Sequence, residues 1–270
     1  MEIDTGTNEL LCAVKDGVAT ITLNRPEARN ALSPDLTAAL RTQIKQRGED
    51  ESVGALLITG AGTAFCSGGD VKAMGGRGPR GQMSFEERLG DLRWRQAALT
   101  GALVAARKPT IAALPGAAAG AGLAIALACD IRIAARSAFV STGYARVGLS
   151  GDYGIAWLLT RAVGSARARE LMFTAERVDA ERCERIGLVN RVVEDARLQD
   201  EAFALARSLA EGPRLAFRNM KDNLDEALSI DYATALFRES ERLVGASRTA
   251  DHREAVQAFV EKRKPVFGRR

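Results

Sequence analysis

The chain has 270 residues, 46% of them hydrophobic and 27% charged. Those fractions belong to an ordinary globular protein and argue against disorder, a collagen-like repeat or a coiled coil. The net charge of +4 comes from 38 basic residues scattered among 34 acidic ones, and aromatic residues make up only 5%, which leaves a nucleic-acid stacking platform without support. Four cysteines, Cys12, Cys66, Cys129 and Cys183, lie far apart with no CxxC pair. That spacing excludes zinc ribbons and disulfide frameworks, and an N-terminus without a signal-peptide pattern predicts reduced thiols in a cytoplasmic protein. The single histidine, His252, stands between Asp251 and Glu254, whose spacing is that of a capping box at a helix start. A solvated histidine is expected there, and neither a His-ligated metal nor a Ser-His-Asp triad.

In chain order, Leu10–Lys15 and Val18–Leu23 are short β-leaning runs joined by Asp16-Gly17, a hairpin signal. Asn24-Arg25-Pro26 ends the second run. Ser33-Pro34 then supplies an N-cap and a first-turn proline for a helix carrying Leu36, Leu40 and Ile44 at helical spacing. Residues 53–59 read as a buried strand. Residues 75–81, GGRGPRG, carry the signal of a mobile loop. Ser84 and Glu87 have capping-box spacing for a helix running to about Arg107. Residues 109–129 hold no charge and are long enough to span a membrane, but prolines, glycines and many alanines weaken that reading. The better parse is a strand over Thr110–Leu114, a turn at Pro115-Gly116, and a small-residue run leading into a buried helix. From Ala166 onward the pattern is helical almost throughout, with breaks at Gly187, Gly212-Pro213 and Ile230. Trp94 and Trp157 lie in helical patterns and read as core or interface residues. The basic cluster Lys262-Arg263-Lys264 reads as a solvated helix end, with contact to a phosphorylated cofactor as the alternative.

Two glycine-rich turns follow predicted strands. The first is Ala64-Phe65-Cys66-Ser67-Gly68-Gly69-Asp70-Val71-Lys72; the second runs from Gly116 to Gly122 and on toward Cys129-Asp130. Small residues let a ligand approach backbone N–H groups, and a following helix adds its positive end. Two facing turns could place two donors on one developing oxyanion. The second turn has the wrong spacing for a dinucleotide fingerprint. Cys66 has no basic partner in view and reads as small filler.

Taken in order, these turns and their flanks resemble the crotonase superfamily, the enoyl-CoA hydratase/isomerase fold. The resemblance rests on NRPEARNAL at 24–32, AFCSGGDVK at 64–72, KPTIAALPGAAAGAGLAIALACDIRIAA at 108–135, VGLSGDYG at 147–154, RIGLVNRVV at 185–193 and EAVQAFVEKRKPVF at 254–267. It implies an α/β fold, a crotonase-like ββα spiral core over residues 1–195, with a C-terminal helical trimerisation region over 196–270. It also implies an acyl-CoA thioester substrate whose carbonyl accepts backbone hydrogen bonds from Gly69 and Ala121. Such preorganised donors contribute about 3–4 kcal/mol each to an enolate. Ala28 and the stretch Ala64, Ser67, Gly68, Asp70, Val71 and Lys72 match the family's coenzyme A groove, and Phe259 and Lys262 match a helix that reaches the coenzyme of a neighbouring subunit. No cofactor beyond the coenzyme A carried by the substrate, no metal and no membrane or nucleic-acid partner is implied. The assembly implied is a homotrimer or dimer of trimers.

The sequence departs from the hydratase pattern of this family. The two glutamates used to add water would fall at Ala124 and Tyr144, and an alanine holds no proton while a tyrosine of pKa about 10 is a poor base. One acid stays in register, Asp152, at the position where isomerases of the family place a catalytic aspartate. A single carboxylate in an apolar pocket could move a proton from one carbon to another and shift a double bond. The bland alternatives are that Asp152 caps the helix beginning near Gly154 and that Tyr144 is a packed pocket wall. The expected activity is enoyl-CoA double-bond isomerisation. Hydration, hydrolysis or dehalogenation with Asp152 as nucleophile, and a catalytically silent acyl-CoA-binding protein are the competing readings.

Overall fold

The computed structural model describes residues 1–69 and 83–268. The chain opens with strands β1 (Glu2–Ile3), β2 (Leu10–Lys15) and β3 (Val18–Leu23). Asp16 and Gly17 both take positive φ between β2 and β3, the geometry of a tight hairpin turn whose twist matches the strands. Helix α1 (Pro34–Glu49) starts where Ser33 accepts a hydrogen bond from the Leu36 N–H, and it buries Leu36, Leu40 and Ile44 on one face.

From here the chain repeats one move. A strand enters the first sheet, a short strand enters a second sheet, and a helix usually follows. Thus β4 (Ala55–Gly60) is followed by β5 (Ala64–Cys66), β6 (Thr110–Leu114) by β7 (Ala117–Ala119), and β8 (Ile131–Ala135) by β9 (Phe139–Ser141). Strands β10 (Val178–Asp179) and β11 (Arg191–Val193) complete the set. Among the described residues the first sheet has the order β1-β2-β3-β4-β6-β8-β11 and the second the order β10-β9-β7-β5. Pairing is parallel from β3 through β11 in the first sheet and from β5 through β9 in the second. Parallel strands are covered on both faces, so their residues are apolar without alternation; all six residues of β4 and all five of β6 are buried. This is the ββα spiral that the resemblance implied.

The helices that follow are α2 (Phe85–Gln96), α3 (Ala121–Ala128), α4 (Ile155–Val163), α5 (Ser165–Thr174), α6 (Ala180–Arg185), α7 (Leu198–Ala210), α8 (Arg214–Glu226), α9 (Tyr232–Ser247) and α10 (Ala250–Val260). The Ser84–Glu87 capping box forms at the start of α2. The helix then continues through a π-turn, Ala97–Gly101, before a last turn at Ala102–Ala105. Helix α7 packs across β4 and β6 through Ala202, Ala206 and Ala210, and a Cβ on Gly54 would lie 2.4 Å from the Ala210 carbonyl oxygen. Asp130 ties the helical C-terminal part to the sheet: its Oδ2 accepts from the Thr110 N–H at 2.8 Å and from Lys221 Nζ on α8 at 2.8 Å.

Several expectations change. The strand expected at 53–59 spans Ala55–Gly60. The run after Pro115 contains a strand, β7, because its alanines fill the narrow second sheet. The last third is less purely helical than its pattern predicts, since β10 and β11 are short strands supplied by tertiary pairing. Helix α10 is capped by Thr249, which accepts from the His252 N–H, while Asp251 accepts from the Gly268 N–H instead. Trp94 and Trp157 are outside the core, half exposed, with Arg41 and Arg161 stacked on their rings. The Lys262-Arg263-Lys264 cluster is exposed, as expected of a solvated helix end, with Arg263 bridging Glu254 and Glu261 and Lys264 reaching Glu211. The loop expected over 75–81 lies outside the described residues. Among the described residues no helix is long and apolar enough to cross a membrane.

The spiral closes through backbone contacts that leave no room for side chains. A Cβ on Gly122, in the first turn of α3, would stand 2.2 Å from the Cys66 carbonyl oxygen of β5. Gly122→Ala is therefore expected to destabilise the protein by about 3 kcal/mol or more. Gly48→Ala in α1, where nothing lies within 4 Å of the added carbon, should raise stability by about 0.5–1 kcal/mol. Thermal melts of the two variants against the parent read both signs.

Candidate active site

The two glycine-rich turns leave the C-terminal ends of β5 and β7, which are parallel neighbours with Cys66 opposite Ala118. Adjacency in the sheet brings the turns together. Gly68 takes φ +92°, and a Cβ there would meet the Ala119 carbonyl oxygen at 2.7 Å and the Ala121 nitrogen at 3.5 Å; only glycine fits both demands. Gly69, next in the chain, forms an isolated bridge with Leu32. Ala121 is the first residue of α3, behind Gly120 at φ +52° with no side-chain cap. Its N–H is one of those with no acceptor inside the helix, at the positive end of the helix dipole. The structure thus sets Gly69 and Ala121 on two touching turns.

The segment carrying Ala28 is fastened to the first turn. Ser67 N–H donates to the Arg29 carbonyl at 3.0 Å, Leu32 N–H to the Gly68 carbonyl at 2.9 Å, and Ser67 Oγ to the Ala28 carbonyl at 3.4 Å. A residue that sequence reasoning passed over does most of the fastening. Asn30 is fully buried; its amide donates to the carbonyls of Ala61 at 3.0 Å and Ala64 at 2.8 Å and accepts from the Arg25 N–H at 2.8 Å. Arg29 and Asn30 both have positive φ. An asparagine after NRPEAR is the signal that was available, because asparagine tolerates that backbone and bonds locally. Asp70, Val71 and Lys72 lie outside the described residues. Phe259, on α10, and Lys262, on the turn after it, are exposed on the outer surface.

The second turn leads to the acid. Tyr144 opens a short 3-10 turn, Tyr144–Val147, and is buried. Its ring lies against Gly120, whose Cβ would be 3.9 Å from Tyr144 Cζ. From there Tyr144 Oη donates to Asp152 Oδ1 at 2.5 Å. Asp152 does not cap α4. The N-cap is Gly154, with no side-chain bond to the helix, so the capping alternative is overturned. Nor is Tyr144 only a wall, since its hydroxyl is spent on the carboxylate. Burial pushes the Asp152 carboxyl above its usual range, partly opposed by the Tyr144 hydrogen bond. Burial first, then the Asp152 charge, pushes the Tyr144 phenol up, so it stays a proton donor in the bond. Ala124 stands inside α3, wholly buried and apolar.

The remaining nucleophile nearby is inert. Cys66 is buried, and desolvation pushes its thiol up to about 12, as expected of filler rather than a thiolate. What the site holds is one half-buried carboxylate, one buried phenol bonded to it, and two glycine-rich turns in contact with one another.

The model of the family described as enoyl-CoA hydratase/isomerase matches residues 13–270. The chain belongs to this family. Among relatives, 1,2-epoxyphenylacetyl-CoA isomerase of Escherichia coli is 40% identical over 264 residues, covering 96% of this chain and 97% of that protein. The short-chain-enoyl-CoA hydratase of Clostridium acetobutylicum is 34% identical over 262 residues, covering 95% and 96%. Among solved structures, an enoyl-CoA hydratase from Mycobacterium smegmatis superposes with a TM-score of 0.86 at 34% identity, covering 96% of this chain and 98% of that one. The protein is thus an enzyme of a family whose members carry both isomerase and hydratase names.

Asn30, itself buried, fastens the Ala28 segment beside the first glycine turn through three hydrogen bonds. Asn30→Ala is expected to lower stability by about 3 kcal/mol, since each buried partner left unpaired costs roughly 1–3 kcal/mol. Thermal denaturation checks this, and a melt unchanged from the parent would remove Asn30 from the framework of the site.

Proposed function

We propose that this protein isomerises the carbon–carbon double bond of an enoyl-CoA thioester, with Asp152 as the single proton carrier. The observation that carries the reading is the half-buried carboxylate of Asp152, held by Tyr144, in a site where the two positions matched to hydratase glutamates are Ala124 and Tyr144. The thioester carbonyl would accept hydrogen bonds from the Gly69 and Ala121 N–H groups. Asp152 would take a proton from a carbon of the acyl chain, the C–H electron pair would move into the conjugated system as an enolate, and the same proton or one exchanged with solvent would return at another carbon. Adding water would instead require a second group to activate the nucleophile, and alanine at 124 cannot serve. The isomerase name of the Escherichia coli relative supports a proton-shuttling member of the family.

Ala28, Ala64, Ser67 and Gly68 would border the coenzyme, with Asp70, Val71 and Lys72 continuing that groove. Phe259 and Lys262 would serve the site of a neighbouring copy. Leu224, Tyr232, Phe237, Leu243 and Phe259 on or beside α8–α10 are all exposed apolar side chains, more than a monomer ordinarily shows, which supports a homotrimer or a dimer of trimers. Sedimentation equilibrium is expected to return three or six times the chain mass, and a monomer would exclude that assembly.

The reaction is tested with paired 2-enoyl-CoA and 3-enoyl-CoA substrates in deuterated water, products being resolved by chromatography and mass. A shifted double bond without added water is expected; a hydroxyacyl-CoA product overturns the reading in favour of hydration. Asp152→Asn keeps an oxygen able to accept from Tyr144, so the fold should survive while kcat falls about 10²–10⁴-fold. Because Asp152 must be ionised to act as a base, kcat/KM should drop as the pH falls through its raised pKa. That acid limb should lie above the usual aspartate value of about 4.

A further inference from the structure

The loop that carries Asp152 is made of residues with little freedom to adjust. Gly151, Tyr153 and Gly154 all have positive φ, so Asp152 is flanked on both sides by left-handed backbone. A Cβ on Gly151 would stand 2.8 Å from Ile155 Cγ2, and the Tyr153 N–H is held by Gln96 Oε1 of α2 at 3.1 Å. Each of these contacts fixes the path of the chain. Only the Tyr144 hydroxyl, at 2.5 Å, fixes the carboxylate itself among the described side-chain bonds of Asp152.

Among the described residues no charged side chain is paired with that carboxylate. On the 3-10 turn Arg146 is exposed, and on α2 Arg95 is paired with Asp91 at 2.7 Å. On α4 the Arg161 guanidinium stacks on Trp157. On α5 Arg169 bonds Ser165 and Glu170 faces Arg182. The whole of α3 is apolar. Among the described residues, then, the ionisation of Asp152 answers to burial and to Tyr144.

We propose that Tyr144 is the positioning residue of the site: its hydroxyl holds Oδ1 of Asp152 and leaves Oδ2 as the one oxygen free to exchange a proton with the acyl chain. This rests on the isomerase reading above. A carboxylate with two equivalent free oxygens can rotate and offer its proton in more than one direction; with one oxygen held, the proton leaves and returns along one line. The phenol keeps its own proton throughout, donating to the carboxylate in the charged form, so Asp152 alone carries the transferred proton and charge balances at each step. The same bond favours the charged form of Asp152 against its burial.

The test compares Tyr144→Phe with Asp152→Asn, both assayed by isomerisation of a 3-enoyl-CoA across pH. Tyr144→Phe keeps the ring against Gly120. Its acid limb of kcat/KM should move up by about one pH unit, and its kcat on the plateau should fall roughly tenfold, with KM little changed. A lost packing contact would lower stability or raise KM but would not move the pH limb. Site-specific 3-fluorotyrosine at 144, a more acidic phenol in an otherwise unchanged chain, should move the limb the other way and covers the case in which Tyr144→Phe folds poorly. If Asp152→Asn is inactive while the Tyr144→Phe profile superimposes on the parent's, the positioning role is overturned and the isomerase reading stands. If Asp152→Asn keeps full activity, both fall.

Discussion

The arrangement depends on how closely two stretches of backbone approach where β5 meets α3. Gly122 against the Cys66 carbonyl and Gly68 against the Ala119 carbonyl leave no volume for a single methyl group. That closeness sets two turns from separate windings of the spiral side by side. It fits the small side chains of β7, which is alanine at all three positions. Hydrophobic burial still drives the fold, through Ile21, Leu36, Leu57, Ile58 and Leu103. The second sheet adds Phe65, Val140 and Val178 to that core and also brings the two turns together.

Onto that frame the chemistry is added by few side chains. Fixed backbone donors need no particular residue to stabilise a developing oxyanion, so alanine at 121 is compatible with the role. In the proposed reading, what distinguishes one reaction from another lies in Ala124, Tyr144 and Asp152. An apolar residue, a phenol and a carboxylate make an asymmetric set. Two of them can exchange hydrogen bonds, and only one can accept and release a proton near neutral pH.

Much of this was legible from residues alone. The Asp16-Gly17 hairpin, the Ser33-Pro34 and Ser84–Glu87 helix starts and the strand–turn–helix over 109–129 each have a local physical signal, and each formed. Among the elements that escaped, β7, β10 and β11 are three residues or shorter and exist because of their neighbours; alanine at 117–119 has no strand preference of its own. Asp251 looked like a cap because a local pattern fitted, yet Thr249 won the position and Asp251 went to the chain end. Trp94 and Trp157 left core and interface open at the level of sequence, because helical spacing says which face a residue shares, not what covers it; the fold removes the core alternative. At the site, Asp152 was found by its register among known motifs, but its bond to Tyr144 spans eight residues through two left-handed positions, Gly148 and Gly151, and has no sequence pattern. The clamp by Asn30 left only the weak local signal of an asparagine at a turn.

The π-turn at Ala97–Gly101 changes the phase of the helix that contains it. An α-helix turns about 100° per residue, and a π-turn accommodates roughly one extra residue without lengthening the path by a full turn. Leu99 inside the turn and Leu103 after it are locked into the core, so the phase change is expressed upstream. There Gln96 accepts from the Tyr153 N–H, which ties the Phe85–Gln96 rod to the aspartate loop. A single-residue deletion in the π-turn would rotate that rod about its axis by about 100° and carry Gln96 away from the Tyr153 peptide, acting on the distant aspartate loop rather than as a local defect.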